Sequence, residues 1–352
     1  MPTRARAGYL DAALRSIAPQ AAAAGAAVLV VDDGGDEATR AVAERHGAEY
    51  VPHDRPRGLN AARNTAVKHG ESDLLVFADD DVDVDPGWLE ALLDAAAALP
   101  QHDAFGGPIR ARLERERPLP TCGREGASIT FLDLGTEDRD AERVWGANMA
   151  IRRAAFERIG AFDPALDLYG DEEDWQARLL AAGGRIRYVA AAALDHRRAA
   201  PDATLAALAR AARRRGRNSR RFDARRGTAP ALAGEFRVLA GCLWHAARRR
   251  CANGLVMAAH SAGRVQEALA PEPAPGAEDF LADASGEVAG RRGALLAAAD
   301  RALDLEARVS GRDARLARDA RRAPPRRRWP ASCACWPAAC GTLRGAGART
   351  GW

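Results

Sequence analysis

An α/β fold, with a mostly parallel central sheet flanked by helices, is what this 352-residue sequence predicts. Three observations carry the prediction. Short apolar runs alternate with longer helical patterns from about residue 26 to 196, the spacing expected when helical crossovers join parallel strands. Hydrophobic residues make up 47% and charged residues 28%, the balance of a globular protein and not of a disordered one. Two acidic turns directly follow apolar runs, so they fall at carboxyl ends of strands, where ligands bind in such sheets.

Taken in order, AAVLVV (26–31) is a buried strand that ends in the turn DDGGDE, and EATRAVAERHG is a helix stopped by Gly47. AEYVPH is a short strand, and Leu59 to His69 forms the next helix. DLLVFA (73–78) is a strand running into Asp79, Asp80 and Asp81. Pro86 opens a helix that continues to about residue 98, since proline is tolerated in a first turn. Residues 202–270 are helical in pattern and include the amphipathic stretch EFRVLAGCLWHAARRRCANGLVMAAHSAGRVQEAL. PEPAPGAEDF (271–280) has the composition of a linker, with one or two helices expected from Leu281 to about Ala307. Disorder is expected from about 308, where arginine, paired prolines and glycine replace periodicity.

Composition removes several classes of function. At roughly 150 residues per domain, the length fits two domains or one large one with appendages. No apolar run approaches the ~18 residues that span a bilayer, so an integral membrane protein is not expected. MPTRARAGYLDAAL has no apolar core followed by a cleavage site, so neither is a secretory signal. The net charge is +4, from 52 basic and 48 acidic residues, and Lys68 is the single lysine. Of six cysteines, Cys333, Cys335 and Cys340 lie near the end without a histidine or a paired CxxC, so a zinc site is not expected there. A reducing cytoplasm is the expected compartment, with the inner face of the cell membrane as the extension of that reading. Nine arginines fall between Arg210 and Arg226. They fit a solvated helix face, attraction to anionic lipid or a lipid diphosphate, or nucleic-acid binding. No nucleic-acid module accompanies them, so no nucleic-acid partner is expected. Segment 235–269 favours packing against the rest of the protein, or contact with a membrane surface.

Chemistry is concentrated in two acidic clusters. Three adjacent carboxylates repel one another, so Asp79–Asp81 is costly unless solvated or neutralised by a cation. Oxygen ligands on a strand-end loop suit Mg²⁺ or Mn²⁺, often with a diphosphate completing the shell. The alternative is a solvated turn in which Asp83 and Asp85 cap the next helix. Asp171, Glu172, Glu173 and Asp174 precede Trp175 and a helix. They fit either stabilisation of that helix start or a general base beside a bound hydroxyl.

Together with their flanks, these clusters resemble the family-2 glycosyltransferases, inverting enzymes of the GT-A fold that use nucleotide sugars. The resemblance rests on four segments in order: VLVVDDGGDEAT, RGLNAARNTAVKHGESDLLVFADDDVDVDPGWLEAL, VWGANMAIRRAAFERIGAFDPAL and YGDEEDWQARLLAAGGRIRYVAAAALDH. It covers residues 1–200, which it marks as the catalytic domain. Residues 201–270 then form a helical, arginine-rich region, 271–307 a linker with helices, and 308–352 a tail.

The resemblance implies a role for each matching position. Asp33, with Asp32 beside it, matches the contact to the nucleotide base, and Pro2 and Arg4 line the same pocket. Arg63 and Asn64 match a polar pair near the nucleotide. Asp79 and Asp81 form the Asp-x-Asp metal pattern, with Asp80 near the ribose or metal, and His196 matches a histidine that completes the metal or diphosphate site. Trp145, Gly146, Asn148 and Trp175 stand where donor sugar and acceptor are held. Counting back from Arg178 places Glu172 at the catalytic base, with Asp171 as second choice. The implied partners are a nucleotide-diphosphate sugar, a Mg²⁺ or Mn²⁺ ion, and a glycan, lipid-linked or small-molecule acceptor. The family begins with an apolar strand running into a Pro-Thr turn, whereas Met1 stands at that turn here. The first strand is therefore expected to be missing and the natural start to lie upstream. A nucleotidyltransferase is the alternative enzyme. A non-catalytic arginine-rich binding protein on a degenerate scaffold is the alternative outside enzymes.

Overall fold

The structure, a computed structural model, describes residues 1–122, 129–166, 170–269 and 349–350. The expectations for the linker and tail, including Cys333, Cys335 and Cys340, lie outside the described residues.

The first three strands form a parallel sheet of their own: β1 (Pro2–Thr3) pairs with β2 (Leu29–Asp32), and β2 with β3 (Glu49–Pro52). Of the first strand, expected to be missing, two residues stand in register with Val31 and Asp32. Between β1 and β2 runs α1 (Ala7–Ala23), which lies outside the predicted elements. Its buried residues Leu10, Ala13, Leu14, Ile17 and Ala21 recur at helical spacing, so one face enters the core despite Pro19 in the interior. α2 (Glu37–Arg45) is capped by Asp36, whose carboxylate accepts from the Thr39 N–H at 2.9 Å. α3 (Leu59–His69) has the predicted bounds.

β4 (Leu74–Ala78) leads into Asp79–Asp81, β5 (Val82–Val84) and α4 (Trp88–Ala98). Asp83 and Asp85 do not cap α4, correcting that reading: Gly87 stands at the cap, and both acids pair with Arg112 and Arg110. β6 (Ala104–Gly106), β7 (Ile109–Leu113), β8 (Leu132–Asp133) and β9 (Arg139–Ala141) follow, with no helix between them among the described residues. β10 (Asn148–Arg152) therefore arrives without a helical crossover and runs antiparallel to both β4 and β6. Beyond it come α5 (Arg153–Ile159), α6 (Asp171–Ala181), β11 (Ile186–Tyr188) and β12 (Leu194–Arg198). The two five-stranded sheets that these strands build are mixed, and only the first sheet is wholly parallel. β11 pairs in parallel with β6 and β12 with β7, while β12 is antiparallel to β5. Two-residue β13 (Arg349–Thr350) pairs antiparallel with β8.

Two pairings position the chemistry. Antiparallel β10 sets Asn148 opposite Ala78, which brings Trp145 and Gly146 beside the acidic turn that ends β4. Antiparallel β12 sets His196 opposite Val82, next to Asp81. The core beneath is apolar and aromatic: Phe77, Phe156, Phe162 and Trp175 meet ring to ring at 5.5–6.1 Å between neighbouring centroids.

α7 (Leu205–Arg225), α8 (Leu232–Arg249) and α9 (Ala252–Leu269) pack as helices on one another. α7 and α9 cross closely at Gly216 and Gly263, where any side chain would strike a backbone carbonyl of the other helix. The arginine stretch is a solvated face only in part: Arg210, Arg214, Arg225 and Arg226 are exposed, whereas others are paired inside the helical layer. Arg217 and Arg221 pair with buried Glu267, while Arg220 from α7 and Arg264 from α9 pair with buried Glu235 on α8. Glu235→Ala would strand these guanidinium groups, so denaturant unfolding should show a loss of about 3 kcal/mol. A change within 0.5 kcal/mol, the range of ordinary surface substitutions, would contradict this reading. No helix among the described residues is long and apolar enough to cross a membrane.

Candidate active site

In the acidic turn after β4, Asp80 and Asp81 are buried, Asp79 is partly exposed, and cations crowd all three. Asp80 accepts from the Thr3 hydroxyl at 2.7 Å and from Arg6 at 2.6 Å. Asp81 accepts from Arg6 at 2.9 Å and pairs with Arg198. The backbone N–H of Arg197 donates to the Asp81 carbonyl at 2.7 Å, which locks β12 against the turn. Nε2 of His196 lies 3.1 Å from Oδ1 of Asp81, off the direction a hydrogen bond needs, so that oxygen is buried without a hydrogen-bond partner. Oδ1 of Asp79 is also buried without one, its nearest guanidinium being Arg63 at 3.6 Å.

Burial sets the protonation of this cluster. It pushes the Asp79 carboxyl up, with Arg63 opposing. It pushes Asp80 up to about 7 although Arg6 opposes it. Burial acts on Asp81 in the same direction, but His196, Arg198 and Arg6 hold it well below the usual carboxylate range. Asp79, Asp81 and His196 each offer one ligand atom, and these atoms lie within 4.8 Å of one another. Nδ1 of His196 approaches the Thr130 carbonyl at 3.3 Å, while Nε2 faces Asp81 and meets Nη1 of Arg198 at 3.3 Å. Two buried oxygens without hydrogen-bond partners and one imidazole nitrogen fit a divalent cation.

The second cluster stands at the start of α6, behind Gly170 in the left-handed conformation (φ 75°). Arg63, on α3 and 1% exposed, donates to Asp171 at 2.6 Å and lies 3.8 Å from Glu172. One buried guanidinium thus touches both clusters. Glu172 accepts from the Gly146 N–H at 3.1 Å. Burial, then the neighbouring Asp171 carboxylate, raises the Glu172 carboxyl well above the usual range. Gln176 pins this segment by bonding both the N–H and the carbonyl of Val144 at 2.8 Å.

Gly146 is required by close approach. A Cβ there would lie 2.2 Å from Nη2 of Arg63. Gly146→Ala should therefore cost about 1–3 kcal/mol of stability. Unchanged stability would contradict the close packing.

Other predicted residues fall elsewhere. Asn64 is spent on the Phe162 backbone, donating to its carbonyl and accepting from its N–H. Asn148 is fully buried, accepting from Trp88 and donating to the Pro108 and Ala192 carbonyls. Trp175 is fully buried and donates to the Gly160 carbonyl. In the structure these three side chains hydrogen-bond to the framework. Trp145 is half-buried, and its indole N–H donates to the Phe131 carbonyl at 3.2 Å. Asp33 holds the loop before α3, accepting from the Arg57 and Gly58 N–H groups. Asp32 keeps Oδ1 buried without a hydrogen-bond partner, while Pro2 is buried and Arg4 exposed nearby. Arg6, Arg198, Thr3 and Gln176 are absent from the sequence prediction. The spacing of Thr3 and Arg6 after a strand end was the available signal for the first two contacts to Asp80.

Sequence comparisons with known proteins match this part of the chain. The model for glycosyl transferase family 2 matches residues 1–160. The domain is similar to a pre-mycofactocin glycosyltransferase of Mycobacterium tuberculosis, 33% identical over 188 residues, 49% of this chain and 38% of that protein. It is also similar to an N-acetylglucosaminyl-diphospho-decaprenol L-rhamnosyltransferase of the same organism. There the identity is 28% over 208 residues, covering 49% of this chain and 66% of that one. A mannosyltransferase from Pyrobaculum calidifontis, solved with GDP-Man and Mn²⁺, aligns with a TM-score of 0.46 at 20% identity, over 80% of this chain and 77% of that one. The chain spans well under half the length of the first of these relatives.

Proposed function

We propose that this family-2 domain transfers a sugar from a nucleotide-diphosphate sugar to an acceptor hydroxyl with inversion at the anomeric carbon. The observation that carries the proposal is Arg63, which joins the Asp79–Asp81 turn to the Asp171–Glu172 pair in one buried cluster. Asp79, Asp81 and His196 would hold a Mg²⁺ or Mn²⁺ ion, which when bound neutralises charge developing on the departing diphosphate. Asp32 and Asp33, with Pro2 and Arg4, border the nucleotide side, and Asp80 is fixed beside them by Thr3 and Arg6. Trp145 and Gly146 border the sugar side. Glu172 takes the proton of the acceptor hydroxyl; the Gly146 N–H orients one of its oxygens, and burial makes it the stronger base. Asp171, held by Arg63, orients rather than accepts. Residues 1–200 form the catalytic domain, and 201–270 the helical addition.

Relatives named for polyprenol- and dolichyl-linked substrates support a lipid-linked acceptor, beside a glycan or a small molecule. Exposed Phe236, Leu243 and Trp244 on α8, near Arg248, support peripheral contact at the inner face of a membrane.

Glu172 must be ionised to act, so kcat should rise with pH along a limb above the ordinary glutamate range. The same raised value means the folded state holds this proton more tightly than the unfolded chain. Its contribution to stability therefore falls as pH rises from about 4.5 towards the raised value. A pH–rate limb within the ordinary glutamate range would contradict the assignment. The reaction class is tested by incubating the protein with UDP-, GDP- and dTDP-sugars, Mn²⁺ and candidate acceptors. Release of nucleoside diphosphate supports transfer. Pyrophosphate formed from sugar phosphate and nucleoside triphosphate would point to a nucleotidyltransferase, and no turnover to a binding protein.

A further inference from the structure

A second cluster of metal-ligating side chains lies away from the carboxylates. Cys122 closes the segment that leaves β7, His245 is on α8, and Cys251 follows the end of α8. Sγ of Cys122 is 3.4 Å from Nε2 of His245, across 123 positions of sequence. The ligand atoms of all three residues lie within 4.8 Å of one another. Backbone geometry holds them there. Arg250 caps α8 in the left-handed conformation (φ 49°), which turns the chain back, and the Cys251 N–H donates to the Ala246 carbonyl at 3.1 Å. The Ala252 N–H donates to the Pro120 carbonyl at 2.8 Å, tying the Cys122 segment to the α8–α9 turn. A left-handed arginine is an uncommon conformation, sustained here by its surroundings.

The donor set selects the ion. Two sulfurs and one imidazole are soft ligands suited to zinc, unlike the oxygen-rich Asp79–Asp81 turn, which suits Mg²⁺ or Mn²⁺. Tetrahedral zinc, with bonds of about 2.3 Å to sulfur and about 2.0 Å to nitrogen, places those two ligands about 3.5 Å apart. The observed 3.4 Å matches that separation. The carbonyl end of α8 adds a favourable field for a cation. We propose that Cys122, His245 and Cys251 bind a zinc ion that staples the segment after β7 to the α8–α9 hairpin. On binding, each thiol releases its proton to solvent, the imidazole binds through the Nε2 lone pair, and a solvent molecule completes the four ligands.

The test uses the full chain, dialysed against zinc and then washed, with metal measured by plasma mass spectrometry. About one zinc per chain is expected. Cys122→Ser and Cys251→Ser should each lose it, while Asp81→Ala and the combined Cys333→Ser, Cys335→Ser, Cys340→Ser variant should keep it. Should a serine variant fail to fold, the wild-type protein supplies the second reading. Alkylation of Cys122 and Cys251, mapped by peptide mass spectrometry, should be slow with zinc and fast after a chelator. Zinc retained in Cys251→Ser, a Cys122–Cys251 disulfide in the unreduced protein, or alkylation rates unmoved by the chelator would overturn the proposal.

Discussion

Asp81→Ala is expected to lower sugar transfer by about 10²–10³-fold or more, because it removes a charge aimed at the departing diphosphate. Asp81 is where Arg6, Arg198 and His196 converge, and it stays ionised because they outweigh its burial. Deleting the carboxylate also leaves three cationic or polar groups facing one another, so the alanine variant should be less stable. Asp81→Asn separates the two effects. It keeps the size and much of the hydrogen bonding, so its melting temperature should recover while activity does not. Full activity in either variant, measured with Mn²⁺ and the preferred donor, would remove Asp81 from the mechanism.

Glu172→Gln is expected to lower kcat by about 10²–10⁴-fold, the usual worth of a general base, with donor affinity little changed. The amide oxygen of glutamine still accepts from the Gly146 N–H, so the local fold persists. Asp171→Asn should behave differently. It weakens the buried pair with Arg63, and with it the link to Asp79, so donor binding and stability should fall together. A Glu172→Gln variant with wild-type kcat, beside an Asp171→Asn variant that binds donor but does not turn over, would move the base to Asp171.

Much of the fold was legible because its signals are local. Leu59–His69 and the strand before Asp79 were readable from apolar periodicity alone. The reversed direction of β10 was not, because strand direction depends on how the chain returns to the sheet, which apolar periodicity does not encode. α1 carries a helical stripe at Leu10, Leu14 and Ile17, but Pro19 interrupts the pattern by which helices are usually recognised. In the site, acidic turns stood out since adjacent carboxylates need a reason. Their partners did not. Arg198 and His196 reach Asp81 only through β12 pairing, and Arg63 meets Asp171 across 108 positions. The same limit explains Asn148 and Trp175: both sit in motif positions, yet their side chains are consumed by the backbone of distant segments. Arginine abundance between Arg210 and Arg226 read as surface, because its acidic partners Glu235 and Glu267 lie in other helices.

The most direct test of a joined metal and donor site is calorimetric titration of UDP-, GDP- and dTDP-sugars into the full chain, with and without Mn²⁺. At least one nucleotide sugar should bind only when Mn²⁺ is present, and that binding should vanish in Asp81→Ala and survive in Glu172→Gln. Absence of binding to every donor, or binding that ignores both Mn²⁺ and Asp81→Ala, would contradict the account.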